Sequence, residues 1–540
     1  MPHPRIAFWS PLPPQKTGIA DYSVELLDAL TEIAEVEVFV DDAYVPDIDL
    51  YRRFTLLPAA LYERRSAHTP FDLNVYHVGN NAAFNGWIYD RALKTPGLVV
   101  LHDLSLADMH YERLYKNGSA TIFLDEVEAM HGLAVRATAM DVMSDPDRRG
   151  WVNLAMSERL VENGLGLIVH SAWAETFLRA RHENLPIYHV MQPAPLLDTS
   201  AEMQDAMRQR YGLPAHGLVV GVFGGVARRK RMHAAIEAFA QFHTEHPDAR
   251  MVLLGRAEDR DYVDQLQTLV RNKGLDRVVR FHGEASSVGE FGRLLQAVDL
   301  IVNLRWPTNG ETSAVMMRAF AAGKVVVTSN VPQFQEYPDD FCWRAPVDVS
   351  DADEQAAVLA LLRRAAADRL GLRRGGEAAR HYMEEHATWS RTAARYVEIG
   401  EIVRNRAPFI ISSAPDDAEE EERDMARSRH RALLEQWEAV RRASEKTLAP
   451  GSSRVSRLLR RSPAAPLVRL YRRVRLLGQL SEAQAALNWR ALDENERLRN
   501  EILQLQIERL VALKAQATAP AAPAAGTSQR AHAGANHWQD

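Results

Sequence analysis

Short, mostly apolar runs recur from residue 5 to about residue 400, and helical stretches separate them. Runs of this length, each followed by a glycine or a polar loop, indicate parallel β-strands that helices cover on both faces. The proline-containing segment 191–195 separates two series of runs. The first series is 6–9, 36–40, 73–78, 98–101 and 167–170, and the second is 219–223, 251–254, 278–281, 300–304 and 325–329.

This alternation predicts an α/β fold with two doubly wound, Rossmann-like parallel-sheet domains, residues 1–193 and 194–407. Open parallel sheets bind ligands at the carboxyl ends of their strands. We therefore expect both domains to aim those ends into a shared cleft, with the functional residues in the loops that follow the strands.

The composition and the hydrophobic pattern of the chain change after residue 407. An acidic run at 416–422 predicts a solvated linker or an exposed helix within 408–450. Residues 451–479 form an Arg-rich amphipathic segment, which Pro463 and Pro466 divide into two short helices. Residues 480–514 predict a helix with an imperfect apolar seam, which favours a short coiled coil and self-association. The Ala-Pro-rich tail 515–540 is expected to be disordered.

Charge and composition narrow the class of protein. The net charge of −6 argues against a chain that works mainly by clamping nucleic acid. Three interpretations of the Arg-rich segment stay open: it binds an anionic membrane surface, it is a mobile linker, or it contacts a partner or nucleic acid.

The single cysteine, Cys342, excludes an intramolecular disulfide and a cysteine-based zinc cluster. The N-terminus lacks a signal-peptide layout and no apolar run is long enough to span a bilayer, so we expect a cytoplasmic protein, attached at most peripherally to the inner face of the cell membrane.

The strongest chemical signal lies in residues 304–313, which read Leu-Arg-Trp-Pro-Thr-Asn-Gly-Glu-Thr-Ser. They predict a strand end, a tight turn at Asn309 and Gly310, and a helix that opens at Glu311, Thr312 and Ser313. The unpaired N–H groups at a helix N-terminus suit the phosphates of a nucleotide. The carboxylate of Glu311 is placed to bind sugar hydroxyl groups.

Three further motifs follow predicted strands. The loop 11–17 turns into a helix at Gly18, where a backbone without a side chain approaches a ligand closely. His102 follows the 98–101 strand, which places an imidazole at the cleft. The segment 222–231 leads from a strand into a basic cluster, whose charge at a helix start favours a bound anion. Taken alone, each motif also has an ordinary structural interpretation, as a helix cap, a loop histidine and a solvated basic turn.

Together these motifs resemble the donor-sugar site of family 4 glycosyltransferases, which have the GT-B fold of two facing Rossmann-like domains. The resemblance covers roughly residues 5–400. It implies that Lys230, with Arg229 or Arg231, neutralises the diphosphate of a nucleotide. Glu311 would hold the donor sugar, and His102 would lie at the reacting centre. The other residues that it places at the donor are Gly18, Gly224, Gly255, Gly310, Thr312, Ser313 and Arg318.

One position departs from the pattern of most family members. Arg318 stands where they carry a second glutamate, which grips the ribose of the nucleotide. A subgroup with the same Gly-Glu-Thr-Ser sequence shares this arginine. The identity of the base therefore stays open.

The resemblance implies a retaining transferase that uses no metal or other cofactor. It would move a hexose, such as mannose, from a nucleotide-diphosphate sugar to a glycan or lipid-linked acceptor in surface polysaccharide synthesis. Two alternatives stay open. One is a catalytically degenerate GT-B scaffold that acts through its C-terminal basic and helical region, and the other is a GT-B enzyme of another kind, such as an epimerase or a phosphorylase.

Overall fold

Two parallel β-sheets organise the computed structural model, which describes residues 3–116, 118–144, 154–182 and 185–405. The strands of the first sheet are β1 (Arg5–Trp9), β2 (Glu35–Val40), β3 (Thr55–Pro58), β4 (Leu73–Val78), β5 (Leu98–Leu101), β6 (Gly166–Val169) and β7 (Ile187–His189). They lie in the order β3-β2-β1-β4-β5-β6-β7, and all neighbours pair in parallel.

The second sheet repeats this arrangement. Its strands are β8 (Val219–Phe223), β9 (Arg250–Leu254), β10 (Val279–Gly283), β11 (Leu300–Asn303), β12 (Val325–Ser329) and β13 (Cys342–Ala345). They lie in the order β10-β9-β8-β11-β12-β13. In both sheets the strand order reverses beside the first strand, between β1 and β4 and between β8 and β11, and such a switch point opens a crevice for a ligand.

Helices cover both sheets and begin at residues suited to that role. Ser171, for example, accepts a hydrogen bond from the Ala174 N–H at 3.1 Å and so satisfies a free donor at a helix start. A π-helical turn spans Tyr111–Lys116, and a 3-10 turn that spans Arg228–Lys230 follows β8. The helices are α1 (Gly18–Leu30), α2 (Tyr62–His68), α3 (Ala82–Lys94), α4 (Ala107–His110), α5 (Ala120–His131), α6 (Leu133–Ser144), α7 (Glu158–Asn163), α8 (Ala172–Arg179), α9 (Ala201–Arg210), α10 (Met232–Glu245), α11 (Arg260–Asn272), α12 (Val288–Ala297), α13 (Ala314–Ala321), α14 (Asp351–Ala367), α15 (Arg369–His386) and α16 (Trp389–Val403).

The predicted pair of doubly wound parallel sheets is confirmed, and every predicted apolar run coincides with a strand to within two residues at either end. All residues of β4 and of β8 are buried, as expected for strands with helices on both faces. Strands β3, β7 and β13 are absent from the prediction. Each of them lies at the edge of a sheet, where a short strand needs fewer apolar residues because one side stays unpaired.

Helix α16 packs on the first domain although it follows the second domain in the sequence. Its residues Tyr396, Ile399 and Val403 join the apolar core of the first sheet. The Tyr396 hydroxyl also lies 2.8 Å from the hydroxyl of Tyr22 in α1. The predicted assignment of 194–407 to the second domain therefore does not hold for this helix, because its apolar face is buried against the first sheet.

No helix within the described ranges is long and apolar enough to cross a lipid bilayer. The predicted segments 408–450, 451–479, 480–514 and 515–540 all lie outside the described residues. The coiled coil, the membrane contact and the disordered tail thus stay predictions.

Candidate functional site

The carboxyl ends of the central strands of both sheets meet in one cleft. Loops after β1, β4 and β5 enter it from the first domain, and loops after β8 and β11 enter it from the second. The Asn309 side-chain amide donates to the Asp108 carboxylate at 3.0 Å, and the Ser105 N–H donates to the Asn309 carbonyl at 3.2 Å. Both switch points therefore open into the same space, as a two-domain binding cleft requires.

Glu311 anchors the second-domain side of this cleft, in the loop between β11 and α13. Its Oε1 accepts a hydrogen bond from Arg305 Nη1 at 2.8 Å. Its Oε2 accepts from Thr308 Oγ1 at 3.0 Å and from the Asn309 N–H at 2.9 Å. Both carboxylate oxygens are thus held by protein donors, and the predicted contact of Glu311 with a sugar stays a prediction.

Two further cations approach the Glu311 carboxylate less closely than Arg305 does. Arg229 Nη1 lies 3.6 Å and Lys230 Nζ lies 3.7 Å from Glu311 Oε1. These separations allow ion pairing but exceed hydrogen-bonding distance. Arg305 is buried and also donates to Asn303 Oδ1 at 2.9 Å, whereas the Arg229 side chain is 39% exposed. Arg229 and Lys230 are therefore the cations that an incoming anion can draw away from Glu311.

Burial and charge act against each other at these groups. Burial alone would raise the pKa of Glu311, but Arg305, Lys230 and Arg229 outweigh it and hold that pKa below its ordinary value. Burial, followed by the like charges of Arg305 and Arg229, lowers the pKa of Lys230 to about 7. Burial, followed by the charge of Glu311, raises the pKa of Asp103 in the first domain to about 6. The cleft therefore holds interacting charges, and Lys230 titrates near neutral pH.

This arrangement is suited to binding an anion. Three cations surround the Glu311 carboxylate in the loops after β8 and β11, where a phosphate group could pair with them, although Asp103, Asp108 and Glu258 also act on Arg229. The structure thus brings Glu311, which the resemblance places at the donor sugar, close to Lys230 and Arg229, which it places at the diphosphate.

Helix α13 begins later than predicted. Its first residue is Ala314, and Ser313 is its N-cap, with Oγ accepting from the Met316 N–H at 3.4 Å. Glu311 and Thr312 precede the helix because the Glu311 carboxylate bonds back to the N–H of residue 309 and holds this segment as a turn. The helix therefore begins at residue 314, and not at residues 311–313 as the sequence predicted.

Three of the predicted glycines serve close packing of the backbone. Gly310 has φ +72°, and a Cβ there would lie 2.8 Å from the Cβ of Leu104 in the first domain. An L side chain would thus strain the turn and collide across the cleft. A Cβ on Gly255 would lie 1.7 Å from the carbonyl oxygen of Gly224, so these two glycines let the β8 and β9 loops touch.

Gly18 differs, because a Cβ there would meet no protein atom within 4 Å. It opens α1 at the carboxyl end of β1, after the N-cap Thr17. The preceding loop reaches the second domain, where Lys16 Nζ lies 2.7 Å from Glu284 Oε2 and the Lys16 carbonyl accepts from Arg256 at 3.0 Å. The loop thus spans the cleft and leaves open space beside Gly18.

Arg231 and Arg318 make contacts away from Glu311. Arg231 Nη2 lies 2.5 Å from Glu354 and 2.6 Å from Asp351, both in α14. Arg318 Nη2 donates to Glu25 of α1 at 2.8 Å and forms an ion pair between the two domains. Carboxylates of the protein thus hold both guanidinium groups, and the contact of these arginines with the donor stays a prediction.

His102 follows β5 and lies against the buried imidazoles of His77 and His170. Its Nε2 is 3.0 Å from His77 Nδ1, and its ring centroid lies 4.8 Å from that of His170. Burial, followed by the charges of His170 and His77, lowers the pKa of His102 well below its ordinary value, so the ring is neutral at neutral pH. In the described ranges, no group of three or more His, Cys, Asp and Glu side chains could hold a metal ion. A place for His102 at the reacting centre stays a prediction.

Two features of the site escaped sequence reasoning. Arg305 is the cation nearest to Glu311 and is 1% exposed. The signal that could have found Arg305 is its position directly after the predicted apolar run 300–304, because an ionised side chain is rarely buried without a partner. The bond between Asp108 and Asn309 joins residues 201 positions apart, and no local pattern indicates such a contact.

Comparisons with known proteins agree with this geometry. Residues 203–377 match the family model described as glycosyl transferases group 1. The D-inositol 3-phosphate glycosyltransferase of Corynebacterium aurimucosum is 28% identical over 183 residues, which cover 32% of this chain and 42% of that protein. The chain thus spans less than half the length of this curated relative.

Solved structures share the fold. Anabaena HepE in complex with UDP and glucose matches with a TM-score of 0.52 and 17% identity, over 74% of this chain and 99% of that chain. Sucrose-phosphate synthase from Thermosynechococcus elongatus matches with a TM-score of 0.53 and 17% identity, over 74% and 99% of the two chains. These structures confirm the GT-B fold, and the family match and the curated relative support the resemblance to family 4 glycosyltransferases.

Proposed function

The chain carries a group 1 glycosyl transferase domain in a GT-B fold, and from this premise we propose that it transfers a hexose from a nucleotide-diphosphate sugar. The transferred sugar is a hexose such as mannose. The acceptor is a glycan or a lipid-linked glycan in surface polysaccharide synthesis. The observation that carries the proposal is the cluster of Lys230, Arg229 and Arg305 around Glu311. The complex of Anabaena HepE with UDP and glucose supports a nucleotide-sugar donor.

In this proposal Arg229 and Lys230 move from Glu311 onto the diphosphate of the donor. Arg305 stays on Glu311 at hydrogen-bonding distance and keeps that carboxylate ionised and in place. Negative charge develops on the diphosphate as it leaves, and the two cations stabilise it. No metal or other cofactor is part of the proposal.

The transfer proceeds on one face of the sugar, so the anomeric configuration is retained. The acceptor hydroxyl oxygen bonds to the anomeric carbon, and the bond between that carbon and the diphosphate oxygen breaks. The hydroxyl proton passes to the leaving diphosphate. No side chain of the protein is assigned as general base.

Thermal unfolding of the full chain with UDP, GDP, ADP and dTDP tests the donor site. A ligand at about 100 times its Kd adds about 2.7 kcal/mol to the free energy of unfolding, which is readily measured. We expect one nucleotide to raise the unfolding temperature, and Lys230→Ala to abolish the rise. Lys273→Ala is the matched control, because it also removes one lysine charge but disrupts only a surface ion pair with Glu237.

A rise that persists in Lys230→Ala would refute the site. The absence of a rise with any of the four nucleotides would favour the degenerate scaffold. Binding of a nucleotide without transfer of any sugar would favour a GT-B protein of another kind.

A further inference from the structure

Three imidazoles lie together at the carboxyl ends of β4, β5 and β6. His77 in β4 is fully buried and His170 after β6 is 2% exposed, whereas His102 after β5 is partly exposed. His77 Nδ1 lies 3.0 Å from His102 Nε2, so a hydrogen bond joins the buried ring to the exposed one. A neutral imidazole has one nitrogen that donates and one that accepts. The position of the proton in this bond therefore decides what His102 offers to a ligand.

The other nitrogen of His77, Nε2, lies in an apolar environment. It is buried, and no group of the described residues is its hydrogen-bond partner. The rings of Phe8, Tyr22 and Tyr396 lie around His77, with centroids 4.5, 5.7 and 6.0 Å away and interplanar angles of 36°, 48° and 18°. An N–H lies in the plane of its own ring, so it points at an aromatic face only when the two rings are nearly perpendicular. A proton on His77 Nε2 would thus be a buried donor without an acceptor, which is rare in native proteins.

His170 shows which kind of unpartnered nitrogen this core contains. Its Nδ1 lies 2.9 Å from the Val190 carbonyl oxygen, and a carbonyl only accepts, so Nδ1 carries the proton. Burial lowers the pKa of His170 to about 4, so the ring is neutral and its Nε2 is unprotonated. This Nε2 is also buried without a hydrogen-bond partner among the described residues. The core therefore already holds one unprotonated imidazole nitrogen without a partner.

The same assignment for His77 fixes the proton of His102. With Nε2 unprotonated, His77 carries its proton on Nδ1 and donates a hydrogen bond to His102 Nε2. Burial holds the pKa of His102 well below its ordinary value, so this ring is neutral and its single proton lies on Nδ1. The two nitrogens of an imidazole face in divergent directions, so Nδ1 points away from the buried His77 ring. We propose that His77 is a positioning residue that holds the proton of His102 on Nδ1, so that His102 presents an N–H donor to the cleft.

A donor at this place has a consequence for the transfer. The oxygen of a sugar hydroxyl accepts a hydrogen bond from an N–H. His102 has no free lone pair with which to take a proton from the acceptor hydroxyl, in agreement with passage of that proton to the leaving diphosphate. The inference rests on the proposed transferase function and on a donor sugar beside His102, as the resemblance implies. It adds a residue behind His102 that sets its hydrogen-bonding role.

Solid-state NMR of the full chain with ¹³C,¹⁵N-labelled histidine tests the proton position and needs no ligand. The ¹⁵N shift distinguishes a protonated from an unprotonated nitrogen, and the attached carbons identify each nitrogen as Nδ1 or Nε2. The pair is recognised by the correlation between two imidazole nitrogens 3.0 Å apart. We expect the protonated nitrogen of this bond to be an Nδ1. A protonated Nε2 would overturn the inference, because His102 would then donate to His77 and present a lone pair to the cleft.

Paired variants test the effect on sugar binding. The ligands are the nucleoside diphosphate that raises the unfolding temperature and its glucose or mannose ester. His77→Phe keeps an aromatic ring in the core but removes the donor to His102. We expect it to raise the Kd of the nucleotide sugar about fivefold, as for the loss of one neutral hydrogen bond, and to leave the Kd of the nucleoside diphosphate unchanged. His77→Asn should restore most of this affinity, because its amide N–H lies close to the place of Nδ1.

His243→Phe is the matched control. It also exchanges an imidazole for a phenyl ring, next to Phe239. His243 lies in the last turn of α10, which begins after the β8 loop at the cleft and ends far from it. Both Kd values should therefore stay unchanged in this variant.

An equal rise of both Kd values in His77→Phe would overturn the inference, because His77 would then only support the fold. Unchanged Kd values for both ligands would overturn it as well. Failure of the proposed function looks different, since no nucleoside diphosphate would bind to the unmodified chain. In that case the NMR measurement would still report the proton position, but the contact with a sugar would fall with the function.

Discussion

The affinity of the chain for a nucleotide sugar is expected to fall as the pH rises through about 7, because Lys230 must be protonated to hold the diphosphate. Burial, and then Arg305 and Arg229, lower the pKa of Lys230 to about 7 in the empty site. A bound diphosphate adds negative charge beside the ammonium group and should return the pKa to the ordinary lysine value of about 10.4 or higher. Binding above neutral pH is thus coupled to uptake of a proton.

The size of the effect follows from this pKa. At about pH 8, roughly nine-tenths of the Lys230 side chains are neutral in the empty site. The Kd should therefore be about tenfold larger at pH 8 than at pH 6, which corresponds to about 1.4 kcal/mol. The complex binds the proton that the empty site lacks, so lower pH favours the complex, and about 0.9 proton per site is taken up on binding at pH 8.

Isothermal titration calorimetry in buffers of different ionisation enthalpy measures both quantities. UDP-glucose, or the sugar ester of whichever nucleotide raises the unfolding temperature, is a better ligand than the free diphosphate, because its phosphates are diesters that do not titrate in this range. Lys230→Arg is the matched control, since its guanidinium stays charged. A small pH dependence of the Kd that remains in Lys230→Arg would come from Asp103, whose pKa is raised to about 6. A Kd that is constant over this range in the unmodified chain, or equal changes in both proteins, would refute the reasoning.

Three other perturbations have expected outcomes. Arg305→Met should lower the free energy of unfolding in urea by about 3–5 kcal/mol, because the buried Glu311 carboxylate loses its nearest partner; a loss below about 1 kcal/mol would contradict the buried ion pair. Gly310→Ala should lower kcat while nucleotide binding is kept, since its Cβ would press on Leu104 and hold the domains apart; an unchanged kcat would show that this contact does not matter for turnover. Ile399→Ala should cost about 2–5 kcal/mol of unfolding free energy. In the same helix, Ile402→Ala should cost less than about 0.5 kcal/mol, because Ile402 is 52% exposed, and equal losses would refute the packing of α16 on the first core.

The central strands were predictable because their apolar pattern is local. A strand covered by helices on both faces is buried along its whole length, as β4 and β8 are, and is therefore mostly apolar. The edge strand β13 reads Cys-Trp-Arg-Ala, and its third residue is only half-buried, so the pattern is too short and too mixed to stand out. Helix α16 was placed in the wrong domain because its apolar face does not specify which sheet it covers.

The candidate site was only partly predictable from the sequence. Lys230 and Glu311 lie in the loops that follow β8 and β11, whose carboxyl ends face the cleft, so their approach follows from the fold. Arg231 adjoins Lys230 in the chain, yet its φ of +51° turns its side chain to Glu354. Sequence adjacency does not fix such a turn, and the two neighbours therefore have different partners.

The sequence by itself determined the two parallel sheets, the loops that enter the cleft and the charge types in those loops, because burial periodicity and turn chemistry act over a few residues. Only the tertiary structure decided which charges meet. It paired Glu311 with Arg305, tied Arg318 to Glu25 and joined Asn309 to Asp108. The physical reason is that ion pairs and hydrogen bonds depend on separations of a few ångströms, and for residues far apart in the chain the packing of whole domains sets those separations.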